Sequence, residues 1–200
     1  TLMHSLDDPI GDFSIFPTYL ISALARQHVT VALSGDGGDE LFAGYETYLA
    51  ERYAHWYQYL PAPAREKWFP ALIGRLPPAP EKKVLSNMVH RFVEGASNPQ
   101  NLGHTRWRLF AADSLKHTLF TPEAAQQLVT PTDAHVQELF NLAGERPELD
   151  KSLYVDVKSY LSDNCLVKVV RMSIASSLEV RVTVLDKELV ELAFLVPGKL

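Results

Sequence analysis

Apolar and polar positions alternate along this chain with two periods. Between Thr18 and Gln27 the apolar residues Tyr19, Leu20, Ala23 and Leu24 recur at helical spacing. Val29 to Leu33, Val-Thr-Val-Ala-Leu, is a short β-branched run of the kind that forms a buried strand. Leu41, Tyr45, Tyr48, Leu49, Tyr53, Trp56 and Leu60 then follow at mostly three- or four-residue steps, predicting one long helix that Pro61 and Pro63 end. Short helices separated by Pro and Gly are expected at Arg65–Ile73, Lys82–Glu94, Thr105–Leu115, Glu123–Val129 and Asp133–Ala143, and nothing in 61–150 has a strand pattern. Residues 149–169 read as a helix with Leu153, Val157, Tyr160 and Leu161 on one face. Glu179 to Leu185 reads as extended, and Lys187 to Val196 as a last helix closed by Pro197-Gly198. A helix, a brief connection and a buried strand predict a predominantly helical α/β protein with a parallel sheet edge.

Composition narrows the class without naming a function. Of the 200 residues, 46% are hydrophobic and 22% charged, enough apolar material for a packed core. The net charge of −5 argues against a nucleic-acid binder, which needs a basic face. No run is long and apolar enough for a membrane span, and the beginning lacks a basic-then-apolar signal pattern. One cysteine, Cys165, cannot form an internal disulfide, so a reducing, cytoplasmic setting is expected. Placed among Leu166, Val167 and Val169, it reads as a small buried hydrophobe.

The densest chemistry lies where the strand ends. Ser34-Gly35-Asp36-Gly37-Gly38-Asp39-Glu40 puts a glycine-rich turn between a strand and a helix, where backbone N–H groups face an incoming anion. Three carboxylates in seven residues would repel a bare phosphate, so the arrangement calls for Mg2+ between them. The structural alternative is that Asp39 and Glu40 only complement the helix dipole while Asp36 caps the turn. No lysine follows Gly38, which excludes a Walker loop, and an EF-hand lacks its glutamate. Lys168 and Arg171, three apart on a helix, place two cations on one side and suit leaving phosphates, or form a solvated surface pair. Glu179 and Arg181 read as a salt bridge. The seven histidines show no metal-ligand spacing. Tyr45, Tyr48 and Trp56 lie on one helical face and read as core, with a stacking platform as the alternative.

These residues resemble the glutamine-hydrolysing asparagine synthetases. Val29–Tyr45 is similar to the family's second signature, and His4 to Ala25 to its His-x-x-Asp-Glu-Pro…Pro-Thr-Tyr stretch. The far end agrees in Leu153-Tyr154-Val155-Asp156, Leu166-Val167-Lys168, Arg171-Met172-Ser173, Ser177 to Val182 and Leu185-Asp186. The resemblance implies part of an adenine-nucleotide alpha-hydrolase-like domain, the N-type ATP pyrophosphatase fold, with ATP and Mg2+. It further implies that the side-chain carboxylate of aspartate is adenylated and that ammonia, supplied from glutamine by another domain, then forms asparagine. Ser34 and Gly35 match positions contacting AMP and substrate, Asp36 an acidic position beside the acyl centre, and Asp39 and Glu40 an acidic pair near Mg2+ and substrate. Arg171, with Lys168 near it, falls on the basic position that steadies pyrophosphate. A homodimer fits the resemblance, and neither nucleic acid nor membrane is expected as a partner.

The sequence also departs from the family pattern. The opening Ser-Gly-Gly-x-Asp-Ser phosphate loop and the glutaminase cysteine are absent, Val170 stands where Asp is usual, and Thr183-Val184 replaces Pro-Phe. The expectation is that residues 1–200 form a single partial synthetase domain, inactive alone, with an exposed sheet edge where upstream strands would pair. Loss of the Asp before Arg171 would leave that arginine less well oriented. Two alternatives follow from the departures: a relative acting on another carboxylate, or a non-catalytic interaction domain.

Overall fold

The computed structural model describes residues 2–8, 10–75, 85–96, 100–108, 113–128, 130–196 and 198. A 3-10 turn over Leu2–Ser5 leads into helix α1, Ile15–Arg26, then strand β1, Val31–Ser34, and the short helix α2, Gly38–Phe42. Helix α3, Glu46–Tyr57, is followed by a π turn at Ala64–Trp68 running into α4, Phe69–Ile73. Next come α5, Leu85–Ala96, a 3-10 segment at Gln100–Arg108, α6, Asp113–Leu119, α7, Pro122–Gln127, and α8, Ala134–Ala143. Helix α9, Glu148–Asp156, continues through a π segment, Val157–Leu166, into α10, Val167–Ala175. Strand β2, Glu179–Val182, a 3-10 turn at Thr183–Leu185 and helix α11, Lys187–Leu195, finish the described chain.

The chain forms two compact units, Thr1–Gly44 with Glu145–Leu200, and Tyr45–Gly144. The first carries the sheet. β1 and β2 pair in parallel, Val31 with Glu179 through Ser34 with Val182, although 148 residues separate the partners. A parallel pair needs a long crossover, and here the whole second unit lies within it. α1 packs on α10, burying Ile15 and Ser22 on one side and Val169, Met172 and Ser173 on the other. α10 stops because Ser177 turns left-handed (φ 57°) and the Leu178 N–H reaches back to the Ser173 carbonyl at 2.9 Å, a closure that aims the chain straight into β2.

Three expectations need correction. The helix predicted over residues 41–60 is two helices: Ala43 turns left-handed (φ 56°), and the Gly44 N–H bonds the Asp39 carbonyl at 3.0 Å. A side chain at Gly44 would have to displace the Asp39 carboxylate. The strand predicted as buried is not: Leu33 is 72% exposed, and Val31 also faces outward. Among the described residues β1 has one partner strand, which leaves an open edge, and its Val31 and Leu33 face is uncovered. Residues 149–169 are helical as expected, but ten of them are wound as π helix, with Leu161 and Cys165 turned inside.

Among its described residues the second unit, Tyr45–Gly144, consists of helices and the turns between them with no strand, as its sequence pattern predicts. The helix expected over Thr105–Leu115 is instead a 3-10 segment that ends at Arg108 and, from Asp113, α6. Residues 82–84, 109–112 and 129 of the predicted helices, and Pro197, lie outside the described residues. Ala54, Leu102, Val93 and Leu139 are buried here, with Tyr48 against the His104 ring at 4.4 Å. Of the aromatic face expected in the core, Tyr48 is buried, whereas Trp56 is 69% exposed.

Candidate active site

All seven sequence-predicted site residues lie on two segments of the first unit: Ser34 to Glu40, from the end of β1 into α2, and α10. At the turn, the Ser34 hydroxyl donates to Asp36 Oδ2, and the Asp36 N–H returns to Ser34 Oγ at 3.3 Å, closing a small ring that fixes the end of the strand. Gly37 is left-handed (φ 90°), and a Cβ there would come 2.5 Å from Leu185 Cδ2. Glycine at 37 is therefore required twice, by conformation and by the approach of the turn that follows β2. A Cβ at Gly35 or Gly38 would meet nothing within 4 Å, so these two keep a bare backbone facing open space.

Asp39 and Glu40 part company. Asp39 is exposed and its carboxylate lies against Gly44. Glu40 is 1% exposed and accepts a weak hydrogen bond from the Cys165 thiol, at 3.8 Å. Burial pushes that thiol up to about 11, and the neighbouring Glu40 carboxylate adds to the rise. Lys168 acts on the same thiol in the opposite sense, and Asp36 in the same sense as Glu40. One buried sulfur thus lies within electrostatic reach of the strand-end turn and of the cation on α10. As its sequence context predicts, Cys165 is inside and protonated at neutral pH, unsuited to act as a nucleophile.

Lys168 is not a solvated surface cation. Its side chain is 15% exposed, and its ammonium donates to Asp12 Oδ2 at 2.9 Å and to Ser14 Oγ at 2.8 Å. Burial works against its charge, but the hydrogen bond and charge of Asp12 outweigh it and hold the lysine above its ordinary value. Despite its own desolvation, Asp12 is held well below the usual carboxylate range by hydrogen bonds from Lys168 and Ser14 and by the lysine's charge. Arg171, one turn on and 44% exposed at its side chain, pairs with Asp7. Val170 leaves it no carboxylate next door in sequence, and the N-terminal loop supplies one instead. Glu179 and Arg181 form the expected exposed salt bridge, at 2.8 Å.

Sequence reasoning missed Asp7, Asp12 and Ser14, because their partners lie more than 150 residues away. Among the described residues, no group of three or more His, Cys, Asp or Glu side chains is placed to hold a metal ion. No helix among them is long and apolar enough to cross a membrane. The second unit holds its own features: a cavity of about 400 Å³ lined by Leu49, Tyr53, Met88, Phe92 and Trp107 among others, and a buried Arg106 paired with Glu51 at 2.7 Å.

The whole chain, residues 1–200, matches the family described as asparagine synthase. It is 29% identical over 201 residues to "Asparagine synthetase (glutamine-hydrolyzing) 1" of Bacillus subtilis, covering 100% of this chain and 30% of that protein. It is 31% identical over 196 residues to "Putative asparagine synthetase (glutamine-hydrolyzing)" of Mycobacterium tuberculosis, covering 96% of this chain and 28% of the other. A Methanocaldococcus jannaschii protein of similar name is 33% identical over 171 residues, 84% of this chain and 30% of that one. The chain therefore spans less than a third of the length of the curated relatives it matches. No solved structure matches it significantly.

Proposed function

The chain belongs to the asparagine synthase family, and from that premise we propose that it is part of a longer ATP-dependent ligase that converts aspartate to asparagine. In this reading an oxygen of the aspartate side-chain carboxylate attacks the α-phosphorus of ATP and pyrophosphate leaves. Ammonia drawn from glutamine then attacks the acyl carbon of the adenylate, and AMP departs. Ser34 and Gly35 bind the AMP portion and substrate, Asp36 stands at the acyl centre, and Lys168 and Arg171 take up the charge that develops on the phosphates. Glu40, though buried, supports the turn from inside through its contact with Cys165.

The observation that carries the proposal is the pairing of a bare turn with a held cation. Gly35 and Gly38 face open space that neither packing nor a positive φ explains, and close approach of a ligand to the backbone does. Lys168 is fixed at 15% exposure on the same unit, within electrostatic reach of the thiol that also senses Asp36.

The donor set fits Mg2+. Asp36 and Asp39 offer hard carboxylate oxygens, and this ion is ordinarily held by one or two carboxylates together with substrate phosphates and water. Asp39 would hold it, and the ion would neutralise phosphate charge during adenylation. Residues 1–200 alone should be inactive, since the phosphate loop of the resembled family is absent from them. Pyrophosphate release from Mg-ATP, aspartate and ammonium tests this, comparing this chain with one extended upstream by about 150 residues, roughly the rest of a typical domain. Release only from the longer protein is expected. Release from neither, with both folded, would contradict the reading.

A further inference from the structure

We infer that Asp12 is a positioning residue of the phosphate site, acting through Lys168. The inference rests on the reading above, in which Lys168 meets the phosphates of ATP.

A lysine ammonium has three N–H donors on a flexible four-carbon stem, and ordering such a stem costs conformational entropy. Here two of the donors are committed, one to Asp12 Oδ2 at 2.9 Å and one to Ser14 Oγ at 2.8 Å. Two anchors on one nitrogen fix where the third N–H points, so the cation is aimed before any phosphate arrives. Asp12 is itself held from both sides. Its Oδ1 accepts the Ser14 N–H at 2.9 Å, at the start of α1, and its Oδ2 accepts from Asn164 Nδ2 at 3.4 Å, in the π segment. The carboxylate therefore ties the beginning of α1 to the beginning of α10 and sets the lysine between them.

The charged and titratable groups around Lys168 are Asp12 before α1, Cys165 and Tyr160 in the π segment, and Arg171 with its partner Asp7. Of the two carboxylates that meet the candidate cations, Asp12 is the anchored one. Asp7 is largely exposed and meets an arginine that is 44% exposed, a pair open to solvent screening.

The test uses the full-length protein and steady-state pyrophosphate release with Mg-ATP, aspartate and ammonium. Asp12→Asn keeps the shape but removes the charge on which the lysine rests. It should raise the KM for ATP about tenfold, the scale of one charge-assisted hydrogen bond, while the KM for aspartate stays put. Asp12→Glu should recover part of that loss. In a Lys168→Met background, Asp12→Asn should add nothing further. An unchanged KM for ATP in Asp12→Asn, or the same loss with and without Lys168, would overturn the inference while leaving the phosphate role of Lys168 intact. Wild-type kinetics in Lys168→Met would overturn both. If Asp12→Asn fails to fold, Ser14→Ala, which removes the second anchor, carries the same test through the same KM.

Discussion

The two units hold their principal cations in opposite ways. In the helical unit the Arg106 side chain is sealed inside and meets Glu51 at 2.7 Å. In the strand-bearing unit Lys168 meets Asp12 at 2.9 Å, but both side chains retain a solvent-facing part. A sealed cation cannot exchange its partner without breaking the core, so its carboxylate serves the fold. A cation with an exposed side and a spare donor can take a ligand while keeping its carboxylate, so that carboxylate can serve a reaction. That difference in exposure, more than either distance, underlies the role proposed for the Lys168 pair.

The comparison is broken most forcefully from the structural side. Glu51→Ala removes a carboxylate that compensates a buried guanidinium, and should destabilise the helical unit by about 3 kcal/mol, read from the denaturation midpoint. Acidification comes next. Burial pushes His104 down to about 3 from an ordinary 6.5, so the ring stays neutral in the folded state while the unfolded chain takes up a proton. Its contribution to stability is therefore complete above pH 6.5 and is lost as pH falls toward 3. The loss between pH 7 and 5 should be on the order of 2 kcal/mol. His104→Phe should flatten that part of the stability–pH curve.

The glycine turn sharpens the contrast within the strand-bearing unit. Gly37→Ala forces a side chain into a left-handed position against Leu185 and should cost between about 1 and 2 kcal/mol. Gly35→Ala adds a methyl to open space and should leave the melting temperature unchanged within error, yet reduce pyrophosphate release by obstructing the approach to the backbone. Calorimetry on both variants, beside the activity assay, separates a glycine kept for the fold from one kept for a ligand.

What could be read from the chain followed local chemistry. Ser34 to Glu40 announced a strand-end turn through its glycines and carboxylates, and β2 was visible within the extended pattern read over Glu179 to Leu185, although only Glu179–Val182 is strand and Thr183–Leu185 closes into a 3-10 turn. The helix Asp133–Ala143 was legible almost to the residue. The break at Ala43–Gly44 was not, because the apolar spacing runs through it unchanged and only the Asp39 backbone and carboxylate at Gly44 reveal it. Nor was the outward face of Leu33, since an apolar run does not say whether a neighbouring layer covers it. Asp12 read as one more loop acid. Its meaning depends on Lys168, 156 positions away, and a long-range pair leaves no trace in local spacing. Arg106 was equally opaque, a charged residue in a polar stretch that the fold places inside.

The role proposed for the Ser34–Glu40 turn and the Lys168–Arg171 cations is adenylation of a side-chain carboxylate. The most direct measurement follows oxygen. Aspartate labelled with 18O in its side-chain carboxylate is turned over by the full-length protein with Mg-ATP and ammonium, and the AMP produced is weighed by mass spectrometry. One 18O is expected in each AMP, because the carboxylate oxygen that attacks the α-phosphorus leaves with it. Asparagine formed with unlabelled AMP, or with the label in inorganic phosphate, would contradict it.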